Sequence, residues 1–231
     1  MRKRFLLFGL PMLILASLLL LMPNTASAEL TAGVQVGYGN TSHSKVLGEE
    51  GLKNTEWSSG LWANYDHEDL LFTGFYQGSL GLGVNIGRHL AQVGANYRFF
   101  QEESLQVYGG LGYQFISTRF ETGEINAGKP FTLTGHGFVG QLVVDIAISE
   151  QVHTRTTVIG NPWLRWSYNE GGVTNSNIDP GPSFAYKVDL AYKFSSDFDL
   201  HLALLGGSDK AAGGETRGSA ASVNVGVIRR F

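Results

Sequence analysis

The chain has 231 residues, of which 31 are glycine, 12% are aromatic and only 16% are charged. The charged fraction lies well below the ~25% of soluble domains, and glycine is about twice its ordinary ~7%. There is no cysteine and the net charge is −3, which excludes a disulfide scaffold and a thiolate metal site. The chain carries no basic block of the kind that binds nucleic acid.

Residues 1–28 have the features of a cleaved signal peptide. Arg2, Lys3 and Arg4 precede an apolar run over 5–22, and Ala26-Ser27-Ala28 supplies a small-residue cleavage site. The run is long for a signal peptide, so an uncleaved transmembrane helix is the alternative. A lipoprotein is excluded because its lipidated cysteine is missing. We therefore expect an exported protein whose mature chain spans residues 29–231.

From residue 29 onward, apolar and polar residues alternate with a period of two, which is typical of β-strands. In 29–39, for example, Leu30, Val34 and Val36 alternate with Thr31 and Gln35. Similar alternation covers 55–66, 69–88, 89–100, 104–119, 133–148, 183–194, 198–204 and 218–231. The stretch 69–88 is interpreted as one long strand with a tight outer hairpin, or as two strands broken at Gly78-Ser79. Together with the segment between the connections at 149–151 and 169–181, these make ten predicted strands, with eight or twelve as the alternatives.

The predicted connections alternate between short and long. Short ones fall at 66–69, 101–104, 149–151 and 195–197, and longer polar ones at 40–54, 120–131, 169–181 and 208–217. This regularity is typical of membrane barrels with short periplasmic turns and longer outer loops. Ten strands leave about 20 residues for each strand and its connection, which fits the 9–11 or so that a bilayer-crossing strand needs.

A soluble sandwich also alternates, so the placement of charge and of aromatic residues decides between the two folds. Charged side chains share the polar face, as expected when apolar residues face lipid and the lumen is polar. Aromatic residues gather beside the short turns (Tyr65, Phe99, Phe194, Phe198, Phe231) and beside the long loops (Tyr38, Trp57, Trp166, Tyr168, Phe184). Membrane interfaces select two such aromatic belts, and a sandwich has no reason to form them.

The last strand, Val223 to Phe231, alternates and ends in a C-terminal phenylalanine. With these features the chain resembles small bacterial outer-membrane β-barrel proteins, OmpX/Ail-type or YfaZ-type in style. The resemblance implies an all-β, transmembrane, antiparallel up-and-down barrel in the outer membrane, monomeric, in contact with outer-membrane lipid and with both termini in the periplasm. It also implies that Val225, Val227 and Phe231 act as an assembly signal read by the barrel-insertion machinery.

Ten strands enclose a narrow lumen that side chains can nearly fill. The inward-facing set includes the bulky residues Trp62, Arg98, Tyr108, Arg155, Trp163 and Arg165. Closing the short turns symmetrically places Asp145 opposite Arg155 and Lys193 opposite Asp199. We predict a lumen charge network of Arg98, Asp145, Arg155, Arg165, Lys187, Asp189, Lys193 and Asp199. Such a network would act either as a polar plug that satisfies its own charges or as an ion path.

Several histidines are candidates for chemistry. His153 and His201 share the lumen with carboxylates, but they lie beside the periplasmic turns, unlike the outer-rim residues of omptin proteases. His136 faces the outer leaflet, without the His-x-Ser motif of lipid-modifying barrel enzymes. His43, His67, Glu49 and Glu50 are spaced too loosely to indicate a metal site. We therefore predict no catalytic residue, no cofactor and no metal.

The sequence thus favours a non-enzymatic outer-membrane barrel with a plugged polar lumen. Its expected role is envelope integrity or surface interaction, with a surface ligand contacting loops 40–54, 120–131 and 169–181. The first alternative is a porin-like narrow channel for ions or small solutes. The second alternative is an outer-membrane lipid-modifying enzyme.

Overall fold

The computed structural model describes residues 29–46, 49–82, 86–121, 129–211 and 216–231. The predicted signal peptide, 1–28, lies outside these residues. Within them the chain forms β1 (Glu29–Val46), β2 (Glu49–His67), β3 (Leu70–Gly81), β4 (Ile86–Gln101), β5 (Leu105–Phe120), β6 (Phe131–Ala147), β7 (Val152–Glu170), β8 (Val173–Lys193), β9 (Phe198–Ala211) and β10 (Thr216–Arg230). No helix in these segments is long and apolar enough to cross a membrane.

The ten strands close into one antiparallel up-and-down barrel. Each strand pairs with its neighbours in sequence, and β10 pairs back to β1, where Tyr38 lies opposite Val223. The prediction of a ten-stranded barrel is confirmed. Closure pairs both edges of the sheet, so every strand has a hydrogen-bonding neighbour on each side.

The two ends of the barrel differ. The inner end holds Glu29, Phe231 and the short turns after β2, β4, β6 and β8. The amide of Phe231 donates to the carbonyl oxygen of Leu30 at 2.9 Å, which ties the chain end to β1. The outer end holds the connections after β1, β3, β5, β7 and β9.

The stretch 69–88 contains one strand and the start of the next. β3 continues through Gly78 and Ser79, which pair with Ser59 and Ser58 of β2. β3 ends at Gly81 and β4 begins at Ile86, so the break considered at Gly78-Ser79 does not occur.

Two segments expected as long outer loops are strands instead. Most of 40–54 is a hairpin in which Asn40 pairs with Thr55 and His43 pairs with Leu52. In 169–181, β7 turns into β8 through Gly171 and Gly172, whose φ angles are +59° and +88°. A two-residue hairpin turn requires such positive φ values, which glycine adopts without strain. Of the third predicted loop, 120–131, residues 122–128 lie outside the described chain.

The wall has an inside-out distribution of polarity. Outward-facing residues are apolar and exposed, among them Val93, Leu111 (70% exposed) and Phe138 (79% exposed). Inward-facing Gln35, Gln114, Asn96 and Asn224 are buried. A soluble sandwich would bury the first set and expose the second, whereas a membrane barrel presents apolar residues to lipid and polar residues to its lumen.

Candidate functional site

The lumen is the candidate site, and it changes character along the barrel. Its inner third is a polar cavity of about 440 Å³, lined by charged side chains such as Asp145, Arg155, Asp199 and Arg230. Its middle holds further ion pairs around a cavity of only about 80 Å³. Its outer third is filled by a cluster of buried apolar side chains.

Arg155 of β7 anchors the first group of charges. It lies opposite Asp145 of β6, as the turn symmetry predicts, and its Nε donates to Asp145 Oδ2 at 2.8 Å. Its Nη2 also donates to the same oxygen and lies 3.6 Å from Asp66 Oδ2 of β2. One guanidinium thus serves two carboxylates across the lumen, a geometry suited to its planar set of five donors.

Asp189 of β8 is the centre of the second group. Lys187 Nζ lies 2.9 Å from Asp189 Oδ1, and His201 Nε2 of β9 lies 2.6 Å from the same oxygen. The ammonium of Lys187 also sits 4.8 Å from the ring centroid of Trp62, a cation–π distance. The bulky Trp62 side chain and these charges fill the lumen where the inner cavity ends.

Two further pairs lie at the inner end. Arg230 Nη2 donates to Asp199 Oδ2 at 2.7 Å, and Arg98 Nη2 donates to Asp69 Oδ1 at 2.7 Å. Lys193 lies opposite Asp199 in the register of β8 and β9, as predicted, but the hydrogen bond of Asp199 goes to Arg230 of β10. Asp69 lies in the turn after β2 and Asp199 lies in β9, so each pair links neighbouring parts of the wall.

Arg88 and Asp209 form a pair that the sequence pattern missed. Arg88 Nη2 lies 3.0 Å from Asp209 Oδ1 inside the barrel, and both side chains are largely buried. Arg88 closes the stretch 69–88, which the sequence pattern treats as one long strand with a hairpin, whereas the structure places it on the inward face of β4. Because side chains alternate along a strand, the even number of Arg88 places it on the same face as Gln92 and Asn96, which point inward. This parity was the signal in the sequence.

The outer apolar cluster was also missed. Its buried members are Val46, Ile86, Ile116, Phe120, Phe131, Leu133, Leu164, Trp166 and Ala211. Phe120 and Phe131 stack with ring centroids 4.7 Å apart, and Tyr168 packs against Phe131 at 5.2 Å. These rings come from the neighbouring strands β5, β6 and β7, and Val46 of β1 and Ala211 of β9 join them from the other side of the lumen to form a packed core.

A β-bulge in β7 explains why two members of the cluster, Leu164 and Trp166, escaped prediction. The register of β7 shifts between Asn161 and Leu164, so an extra residue reverses the inward face beyond it. Leu164 and Trp166 consequently point inward. Trp163, which is 75% exposed, and Arg165 point outward. The expected places of Trp163 and Arg165 in the lumen, and of Trp166 and Tyr168 in the outer aromatic belt, are therefore wrong.

The remaining candidate residues are spread over the barrel. His153 lines the inner cavity near Asp145, and His136 lies on the outer wall, with Nδ1 2.7 Å from the hydroxyl of Tyr113. His43 is buried inside the outer end, whereas His67 is exposed at the inner end. In the described chain no three His, Asp or Glu side chains are grouped so as to hold a metal ion.

The predicted assembly-signal residues lie along the β10 edge of the barrel closure. Val225 and Val227 face outward and pair with Val36 and Val34 of β1. Phe231 follows the strand, and the guanidinium of Arg229 lies 4.7 Å from its ring centroid. Arg229 is thus placed at the inner interface, where a charge on the outer wall costs little.

Comparison with known proteins identifies the fold. No family model matches the sequence, and no curated protein matches it. Among solved structures, the outer membrane protease OmpT from Escherichia coli superposes with a TM-score of 0.60 at 8% identity, covering 91% of this chain and 99% of that chain. Neisserial surface protein A, NspA, covers 90% of this chain and 100% of its own at 14% identity, with a TM-score of 0.41.

The attachment invasion locus protein Ail of Yersinia pestis also matches, at 13% identity and a TM-score of 0.36, over 87% of this chain and 98% of that chain. At these identities the likeness concerns the fold alone. The closed ten-stranded barrel, the apolar outer wall and the polar lumen define a small bacterial outer-membrane β-barrel.

Proposed function

We propose that this protein is a closed, non-enzymatic barrel of the outer membrane that serves envelope integrity or surface interaction. Its wall anchors it in the bilayer, and its extended outer hairpins, 40–54 and 169–181, would present the surface that a ligand contacts. Strands of up to 21 residues exceed the 9–11 or so that a membrane crossing needs, so these hairpins would project beyond the outer leaflet.

The observation that carries this proposal is the apolar cluster across the outer lumen. Phe120 is 1% exposed and Phe131 is 2% exposed, as in the core of a soluble domain. A hydrated ion crossing the barrel would have to displace these rings, and apolar constrictions oppose the passage of water and ions. The cluster therefore supports a barrel that is shut at its outer end.

The charge pairs of the inner and middle lumen support the same interpretation. Arg155, Lys187, Arg88 and Arg230 each have a carboxylate partner within hydrogen-bond reach. Removing one partner of a buried pair leaves an uncompensated charge, so these pairs hold each other in place. Because each of these cations already has a carboxylate partner, the network supports a structural role in the lumen rather than a series of binding sites for ions.

A narrow channel is the second candidate, and the inner cavity is what favours it. Its roughly 440 Å³ is open to the inner end and lined by charged residues, as the vestibule of an ion path would be. For conduction, the side chains around Trp62 and the outer apolar cluster would have to move aside. An enzyme is the third candidate, for which His136 is the residue to test.

Proteoliposomes offer the experiment. Refolded protein should leave the permeability of liposomes to small sugars and amino acids at the level of empty liposomes. Heat-modifiable migration on a gel would establish that the barrel is folded. Swelling rates well above those of empty liposomes would overturn the proposal in favour of a channel. Cleavage of a peptide or modification of lipid A, lost in His136→Ala, would instead favour an enzyme.

A further inference from the structure

Three side chains on the outer wall form a compact polar group. Tyr113 of β5, His136 of β6 and Arg165 of β7 lie on consecutive strands and face away from the lumen. The hydroxyl of Tyr113 is 2.7 Å from His136 Nδ1. His136 lies directly opposite Arg165 in the register. Side chains opposite each other on antiparallel strands have Cβ atoms about 5 Å apart, so imidazole and guanidinium share one patch of surface.

The contact with Tyr113 leaves the other ring nitrogen of His136, Nε2, for an external ligand. In the neutral tautomer whose Nδ1 accepts the hydrogen bond of the tyrosine hydroxyl, Nε2 carries the ring hydrogen and is a donor. The guanidinium of Arg165 adds a planar set of N–H donors that matches a phosphate. The patch thus presents several donors and one fixed positive charge, which is the chemistry that recognises a phosphate.

Arg165 differs in this respect from the arginines inside the barrel. Arg88, Arg98, Arg155 and Arg230 each pair with a carboxylate. Arg165 forms no salt bridge with a carboxylate in the described part of the chain. Its charge is therefore available to a ligand outside the protein.

The position of the patch points to a lipid headgroup. Phe138 is 79% exposed and lies two residues from His136, toward the inner end of β6. Trp163 is 75% exposed and lies two residues from Arg165, toward the inner end of β7. Such side chains belong to the lipid-facing wall, and exposed tryptophan gathers at membrane interfaces. The patch lies just beyond them toward the outer end, at the level where headgroups meet the protein.

Other cations surround the barrel at the same end. Lys53 and Lys210 are exposed on the outer wall near the outer ends of β2 and β9. An anionic outer leaflet would attract these exposed cations.

We propose that Tyr113, His136 and Arg165 form a binding site for the phosphate of an outer-leaflet lipid of the phosphorylated glycolipid class. This inference rests on the proposed function, because it requires a barrel seated in the outer membrane, and it deepens that function. The barrel would bind its lipid neighbours at the headgroup level and so hold them together. His136 would then serve as a binding residue.

The chain contains a matched control. Tyr76 and His89 form an equivalent outward-facing pair on β3 and β4, with 2.9 Å between the hydroxyl and Nδ1. His89 lies opposite Gly78 on one side and Ser117 on the other, so no arginine is opposite it. A substitution at His89 therefore removes the same kind of tyrosine–histidine pair without disturbing the Arg165 patch.

The test measures lipid binding to the folded barrel in a nonionic detergent, by native mass spectrometry and by thermal unfolding. The probes are diphosphorylated lipid A, the same lipid with its phosphates removed, and inorganic phosphate. Diphosphorylated lipid A should bind and raise the unfolding temperature. Arg165→Gln should weaken that binding roughly tenfold, since one charge-assisted hydrogen bond is worth about that factor. His136→Gln should weaken it in the same direction, and His89→Gln should leave it unchanged.

Equal binding of the dephosphorylated lipid would overturn the phosphate site. Unaltered affinity in Arg165→Gln, with heat-modifiable migration intact, would also overturn it. Inorganic phosphate that binds as tightly as the lipid would assign the patch to a free anion and overturn the lipid assignment. None of these results bears on whether the lumen conducts, so a failure here is distinguishable from a failure of the closed-barrel proposal.

Discussion

Phe131→Ala is the most informative change to the outer lumen. Phe131 is 2% exposed and packs between Phe120, at 4.7 Å, and Tyr168, at 5.2 Å. Truncation forfeits about 1.5–3 kcal/mol of hydrophobic transfer free energy. It also leaves a void of roughly 100 Å³, which at about 24 cal/mol per Å³ adds up to ~2.4 kcal/mol. We expect the free energy of unfolding to fall by about 3–5 kcal/mol, the range for phenylalanine in protein cores.

Phe138→Ala supplies the control. Phe138 is 79% exposed on the outer wall, so lipid chains would fill the space that its ring vacates. This variant should lose only the transfer free energy, about 1.5–3 kcal/mol, without the cavity contribution. Unfolding by guanidinium chloride in phospholipid vesicles, followed by tryptophan fluorescence and by gel migration, measures both. Equal losses in the two variants would refute a dry, packed outer lumen.

Two more predictions concern the wall and the inner lumen. Arg155→Gln should lower the free energy of unfolding by about 1–3 kcal/mol. This is less than the ~3–5 kcal/mol expected for a dry buried pair, because the Arg155 site borders the inner cavity. Arg98→Gln should cost under ~1 kcal/mol, because the carboxylate partner of Arg98 is half exposed. Similar values from the same denaturant titration would contradict the assigned roles. Gly110→Ala should lower the free energy of unfolding by about 1–3 kcal/mol, because the new Cβ would lie 2.2 Å from a backbone carbonyl oxygen. Gly160→Ala should be neutral or slightly stabilising, because the space around its Cβ is open. A Gly110→Ala variant as stable as the wild type in that titration would contradict this prediction, since the backbone around Gly110 would then accommodate the added Cβ without cost.

Sequence alone predicts most of the barrel because a period of two assigns each residue to a face without knowledge of distant contacts. That is why the ten strands and the Asp145–Arg155 juxtaposition follow from counting residues about a short turn. Which carboxylate pairs with an inward-facing cation depends on both neighbouring strands, because every strand of the barrel has a partner on each side. Arg230 reaches Asp199 from the neighbouring strand, a contact that pairwise counting across one turn does not predict.

The failures concentrate where the period breaks. The bulge between Asn161 and Leu164 adds one residue to β7, and a single extra residue moves every later side chain to the opposite face. This moved Trp166 into the apolar cluster and Arg165 onto the outer wall. The outer hairpins failed for another reason. Their polar residues resemble loops, yet above the bilayer both faces of a strand meet water or the lumen, so polarity no longer distinguishes strand from loop.

Single-channel recording in planar bilayers tests the central claim, a lumen closed by the outer apolar cluster, most directly. Folded wild-type protein, verified by heat-modifiable migration before insertion, should give no reproducible conductance step at high salt and moderate voltage. A stable, reproducible open state of uniform amplitude would contradict the closed lumen.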